Sequence, residues 1–176
     1  MNRTTWNEDE ISSRLQDNGR VDRVAFDGMR LNGIDFSGKT LYGCSFSRTF
    51  LSECVFDDTV VSLCFFDFAE LEHIQFTHSR IRSSAVSCAS LKGCSFYDAT
   101  LLHVNFNGSM ISDSSFESSD LLACRFVKAT LQDTVIADCN VKGSDFTDSL
   151  RTNVRYSQCN LSEASGIRGL RVRSLW

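Results

Sequence analysis

From Phe26 onward an apolar side chain returns every five residues. The series Phe26, Leu31, Phe36, Leu41, Phe46 and Leu51 runs on to Leu161 without insertion or deletion, and Arg151 is its one polar member. Twenty-seven of these 28 grid positions are apolar, where 42% hydrophobic content gives about 12 by chance. A period of five is neither the helical 3.6 nor the strand 2.0. It predicts a short extended stretch and a turn in each repeat, with two alternating side chains pointing inward and three facing solvent or making the corner. The second inward position, two residues before the grid residue, is small: seven Cys, seven Ser, four Ala, three Thr and three Val, the rest being Met29, Ile34, Lys39 and Ile74.

A second regularity lies on the first. Phenylalanine holds alternate grid positions (Phe26, Phe36, Phe46, Phe56, Phe66, Phe76, Phe96, Phe106, Phe116, Phe126, Phe146), and Leu, Ile or Val hold those between. Four repeats closing one square coil of 20 residues would place Phe on opposite walls and aliphatics on the other two. Coils stacked at about 4.8 Å then satisfy one another's backbone, and about seven make a rod on the order of 34 Å long. A chain built almost wholly of ladder has little room for a residue without an N–H donor, and this one has no proline.

At Ala69-Glu70-Leu71-Glu72-His73, Ser119-Asp120-Leu121, Cys139-Asn140-Val141-Lys142-Gly143 and Cys159-Asn160-Leu161-Ser162-Glu163, the chain resembles the pentapeptide-repeat proteins. The resemblance implies an all-β fold, a right-handed quadrilateral β-helix, and a bacterial source. It implies little about activity, because one fold hosts many functions.

A solenoid needs caps. Residues 1–21 are expected to hold a capping helix over 7–18. Asn7 is a suitable N-cap, Glu8, Asp9 and Glu10 fill the first turn, Trp6 and Ile11 take the staple positions, and Asn18-Gly19 gives the stop. The β-helix is expected over 22–163. Residues 164–176 form a basic and apolar tail that caps the last coil, dimerises or contacts a partner.

Seven of the eight cysteines take the small inward position, and Cys88 alone faces outward. No Cys-x-x-Cys pair and no inward His offers metal-ligand spacing, so buried thiols acting as small hydrophobes, with no metal, cofactor or disulfide, are expected. No catalytic triad, phosphate loop or general acid–base pair stands out, and a regular rod lacks the concave pocket that catalysis uses. A non-enzyme is expected. No apolar run is long enough to span a bilayer and Met1–Glu10 does not read as a secretory signal, which points to a cytoplasmic protein, with delivery into host cells left open.

The unbroken register sorts charge by wall. The wall centred on Phe36, Phe56, Phe76, Phe96, Phe116, Ile136 and Tyr156 carries Asp35, Asp57, Asp58, Asp98, Glu117 and Asp138 against Arg155 alone. Its neighbour adds Glu53, Glu70, Glu72, Asp113 and Asp133 against Arg30, Lys92 and Arg151, while the wall with Lys39, Arg80, Arg82 and Lys142 is net positive. Residues 1–150 carry net −8 and residues 151–176 net +4. Such a rod repels nucleic acid and suits a basic protein surface. Phe50, Val55, Val60, Leu63, Phe65 and Phe68 fall at outward positions, and Phe65 and Phe68 share a wall as a candidate protein contact. The expected function is a protein-interaction rod, monomer or homodimer, using the acidic wall and the aromatic patch. Within the resembling family, one group is similar to DNA in shape and charge and protects DNA gyrase from quinolones. That gives the first alternative, although this chain lacks projecting loops and a clear C-terminal dimerisation helix. A bacterial secreted effector, or a module of one, is the second.

Overall fold

The computed structural model describes residues 4–6, 8–17 and 19–167. It is a parallel β-solenoid of about seven coils beneath one short helix. The Leu31 wall is a seven-stranded parallel ladder from Arg30–Asn32 to Leu150–Thr152. The opposite wall is five-stranded, from Arg20–Asp22 to Thr100–Leu102, continued by bridges through Asp120 to Asn140. The two Phe walls are narrower ladders. One runs from Ala25 through Ser45, Phe65 and Ala85 to Ser165, and the other from Asp35 through Val55 to Val135. These pairings join residues 20 apart in register, as in Leu51 with Leu71 and Leu91 with Ile111. Coil 1 is centred on Phe26, Leu31, Phe36 and Leu41, and coil 7 begins at Phe146.

All eleven grid phenylalanines are buried, and eight of them, among them Phe26, Phe56, Phe106 and Phe146, are below 2% exposure. The rings stack along their own walls, and most of them meet a ring of the opposite wall edge-on. Phe96 and Phe116 are 4.7 Å apart at 4°, and Phe106 meets Phe116 at 6.0 Å and 86°. Such pairs add about 0.5–1.5 kcal/mol beyond burial.

The small inward residues do more than fill space, since their hydroxyls and thiols also bond the backbone of neighbouring coils. Thr49 Oγ1, Cys54 Sγ, Cys94 Sγ and Cys124 Sγ each donate to the carbonyl of the residue 23 earlier, a grid residue of the preceding coil. Ser84 and Ser114 hydroxyls also accept the N–H of Cys64 and Cys94 one coil back. Position and chemistry together explain why Cys, Ser and Thr interchange there. Burial pushes the Cys94 thiol up to about 11 and Cys124 up to about 12. All eight cysteines are free thiols.

The first inward positions have no earlier coil to meet, and Met29, Ile34 and Lys39 are correspondingly large. Above them lies α1, Glu8–Asp17. Its Ile11 and Leu15 are buried, and Trp6 meets Phe26 edge-on at 5.7 Å. Lys39, counted by sequence with the basic wall, sits half-buried beside Leu15 and Gln16 at this mouth. Residues 1–3, Asn7, Asn18 and residues 168–176 lie outside the described residues, as do the side chains of Glu8 and Asp9. The expected N-cap, stop and most of the tail therefore lie outside them too.

Each corner has one left-handed residue, two after the grid residue. From residue 28 to residue 158 all 27 such positions have positive φ, and none is β-branched. On the Phe walls the corner closes as a type II turn, with Met29 N–H donating to Phe26 O at 3.1 Å and Thr49 N–H to Phe46 O at 3.1 Å. At Gly93 a Cβ would lie 2.5 Å from the exposed His73 ring, so a side chain there would require that ring to move aside.

Candidate interaction surfaces

One backbone group per repeat decides which acids are free to act outside the fold. On the Phe walls, the N–H of the residue after the grid residue is met in many repeats by an Asp or Asn side chain. Asp35 takes Ser37 N–H at 2.8 Å from its own coil, and Asp57 takes Thr77 N–H at 2.7 Å from the next. Asp27 and Asp67 serve Ser47 and Ser87 in the same way, at 3.0 and 3.3 Å. The Ser37 hydrogen bonds hold the Asp35 carboxyl below its ordinary range. Two of the six acids on the Phe36 wall thus help to hold the ladder.

The other four point elsewhere. Asp58, His78, Asp98 and Asp138 share one left-handed corner column, a coil apart except for Ser118 between the last two. His78 lies between two carboxylates, with Nδ1 3.7 Å from Asp58 and Nε2 3.6 Å from Asp98. Tyr97, 48% exposed, presents its ring 6.4 Å from the imidazole. Glu117 is half-buried on the same wall and Asp138 is exposed. His78 and Tyr97 were not singled out from the sequence. The 20-residue spacing of Asp58, His78 and Asp98 was the available signal.

The aromatic patch lies on the opposite side of the tube. Leu63, Phe65 and Phe68 are 45%, 39% and 55% exposed and cross the Phe26 wall on coil 3, whereas Phe50, Val55 and Val60 are half-buried on other walls. The neighbours of Phe65 along the rod are Ser45 and Ala85, so the patch is a ridge rising from small side chains. Arg48 lies over the Phe68 ring at 5.4 Å. Leu63 and Phe68 occupy left-handed corners, with φ of 55° and 59°, a conformation that costs an ordinary side chain about 1 kcal/mol relative to glycine. Local stability does not account for them. Because the ridge and the acidic wall back onto each other, one flat partner surface cannot cover both.

Among the described residues no group of three or more His, Cys, Asp or Glu is arranged to hold a metal, and no helix is long and apolar enough to cross a membrane.

The chain belongs to the pentapeptide-repeat family. A family model for a pentapeptide repeat region matches residues 89–165, and one for eight copies of pentapeptide repeats matches residues 22–58. No curated protein matches the chain in sequence. Among solved structures it is similar to a trypsin-treated variant of QnrB1, a plasmid-mediated fluoroquinolone resistance protein, at 17% identity and a TM-score of 0.54, covering 98% of this chain and 85% of that one. HetL, a pentapeptide repeat protein involved in heterocyst differentiation regulation from the cyanobacterium Nostoc sp. strain PCC 7120, is 12% identical with a TM-score of 0.36, covering 94% of this chain and 100% of that one. At its 17% identity the QnrB1 likeness carries the fold alone, a right-handed quadrilateral β-helix.

Proposed function

We propose that this protein is a non-catalytic interaction rod whose Phe36 wall binds a basic protein surface. The corner column of Asp58, Asp98 and Asp138, with Glu117 beside it, carries this reading, because none of these carboxylates is committed to a backbone N–H of the ladder. A row of carboxylates on a rigid ladder is presented without the ordering cost that a flexible acidic segment would incur. Tyr97 supplies a ring face to a Lys or Arg of the partner. The binding should weaken as salt rises, since screening limits surface charge to about 8–10 Å. Asp57→Asn, Asp58→Asn, Asp98→Asn and Glu117→Gln together remove four charges while the amide at position 57 keeps its acceptor oxygen. Capture of a partner from bacterial lysate should fall with this variant, and unchanged capture would reject the reading.

A second reading, topoisomerase binding by DNA mimicry, draws on the same acids and on the fold shared with QnrB1. Duplex DNA carries one charge per ~1.7 Å of axis. The six acids of the Phe36 wall, spread over five coil steps of ~4.8 Å, give one per ~5 Å. Adding the five acids of the Leu31 wall brings the acids to one per ~2 Å. Arg30, Lys92 and Arg151 on that wall offset three of them, with Lys92 paired to Glu72 at 3.4 Å, so the net spacing stays wider than that of DNA. The mimic therefore requires both walls, and the protein-rod reading requires one. Neutralising Glu53, Glu70 and Glu72 separates them. Inhibition or protection of DNA gyrase in a supercoiling assay should drop with this variant for a mimic, and no effect of the parent on supercoiling would exclude it.

A further inference from the structure

The Phe26 wall carries a charge sequence that complements its own reverse. Reading outward residues from coil 2 to coil 7, Arg48 is followed by Asp67 with the two rings, then by two uncharged coils, then by Arg125 and Lys128, then by Asp145 and Asp148. Arg48, Arg125, Lys128 and Asp148 are exposed, and none forms an ion pair among the described residues.

We propose that a second copy of this chain docks antiparallel on this wall, with coil 2 of one copy over coil 7 of the other. The proposal deepens the interaction-rod reading by giving the aromatic ridge its own occupant and leaving the acidic wall outward on both copies. A twofold axis across the wall returns each column of side chains to itself, so the partners can be read directly. In the corner column Arg48 faces Asp148, Phe68 faces Lys128, and Cys88 faces Gly108. In the column before the grid residues Phe65 faces Arg125 and Ala85 faces Asn105. Each relation occurs twice by symmetry. Opposite charges meet at the outer ends, the rings meet cations, and the two central coils are lined by small or uncharged side chains that permit close approach.

The competing registers are worse. Moving one coil in one direction sets Arg48 against Lys128. Moving one coil in the other sets both rings over Asp145 and Asp148. A parallel twofold exchanges the two columns and sets Lys128 against Arg125 and Asp148 against Asp145. The interface uses three outward positions on each of six coils, about 18 per copy, below the 20–30 residues a side of a standard interface. The dimer is accordingly weak and salt-sensitive.

Arg48→Asp and Asp148→Arg test this without disturbing the corners, which already hold Arg at positions 23 and 48 and Asp at positions 58, 98 and 148. In sedimentation equilibrium at low salt, the parent should show a mass rising toward twice 19.7 kDa with concentration. Either single variant should weaken this association by at least about tenfold, since each sets like charges face to face twice. The double variant, with unchanged net charge, should restore it. A short bis-maleimide should link two copies through Cys88, whose two occurrences lie about one coil step, ~5 Å, apart along the axis, and Cys88→Ser should abolish the link. A mass independent of concentration, or a double variant no better than the singles, would overturn the proposal. The acid-neutralised variant should still self-associate, so failure of the acidic wall is read separately.

Discussion

The Phe26 and Phe36 walls are nearly the same structure carrying opposite chemistry. Both are parallel ladders backed by stacked phenylalanines, both turn through a left-handed corner, and both use Asp or Asn to satisfy the same spare N–H. Outside, one wall is almost uniformly acidic and the other alternates in sign around an aromatic ridge. The difference teaches which positions of this fold are free to carry function. Inward positions are fixed by the tube's volume and by donors that reach back 23 residues. Outward positions are constrained only where a carboxylate serves the ladder, and the remainder can be set wall by wall.

The largest expected effect would come from the inside, where the walls should be equivalent. Phe106→Ala on one wall and Phe116→Ala on the other should each cost about 3–5 kcal/mol, because stacked neighbours cannot collapse into the cavity independently. Urea midpoints would show this, and a parental midpoint for either variant would mean that its ring is not in the core. Outside, the walls should part. The four-acid neutralisation should lower partner capture and its salt sensitivity while leaving the urea midpoint within about 0.5 kcal/mol of the parent.

A smaller effect concerns the ridge. Phe68→Asn relieves a left-handed corner, so it should raise stability by up to about 1 kcal/mol while weakening self-association. A large loss of stability would instead place that ring within the packed structure. The smallest effect is the acid limb. Hydrogen bonds from Ser37 and Thr147 hold Asp35 and Asp145 below the ordinary 3.8, so each stabilises the fold above about that pH. This contribution is lost as pH falls through the lowered folded-state values. Asp35 is exposed and Asp145 only partly buried, so screening keeps the contribution under about 1 kcal/mol each. Comparing Asp35→Asn with the parent in urea at pH 6 and pH 3 should show the gap closing at the lower pH.

Most of the fold was legible in the sequence because the period is unbroken. Once Phe26 is placed, Leu31, Phe36 and every later grid residue fall by counting, and so does the sorting of charge onto walls. The left-handed corner leaves its own trace, in Gly, Asp and His at every fifth position and in the absence of Val, Ile and Thr there, but the hydrophobic period alone does not disclose it. What counting could not reach depends on geometry across coils. Cys94 donates to the Leu71 carbonyl because its side chain leans toward the preceding coil, and nothing at positions 71 and 94 announces a spacing of 23. Likewise Asp57 and Asp58 look alike in sequence. Only the corner between them turns one toward Thr77 N–H and the other toward His78.

The Phe36 wall is proposed to bind a basic partner independently of the Phe26 wall. Capture from one bacterial lysate, with the parent, the four-acid variant and Arg48→Asp immobilised side by side, tests it most directly. A protein held by the parent should be held equally by Arg48→Asp, released by moderate salt, and absent from the four-acid variant. Equal retention of the same protein by the four-acid variant would contradict the proposal.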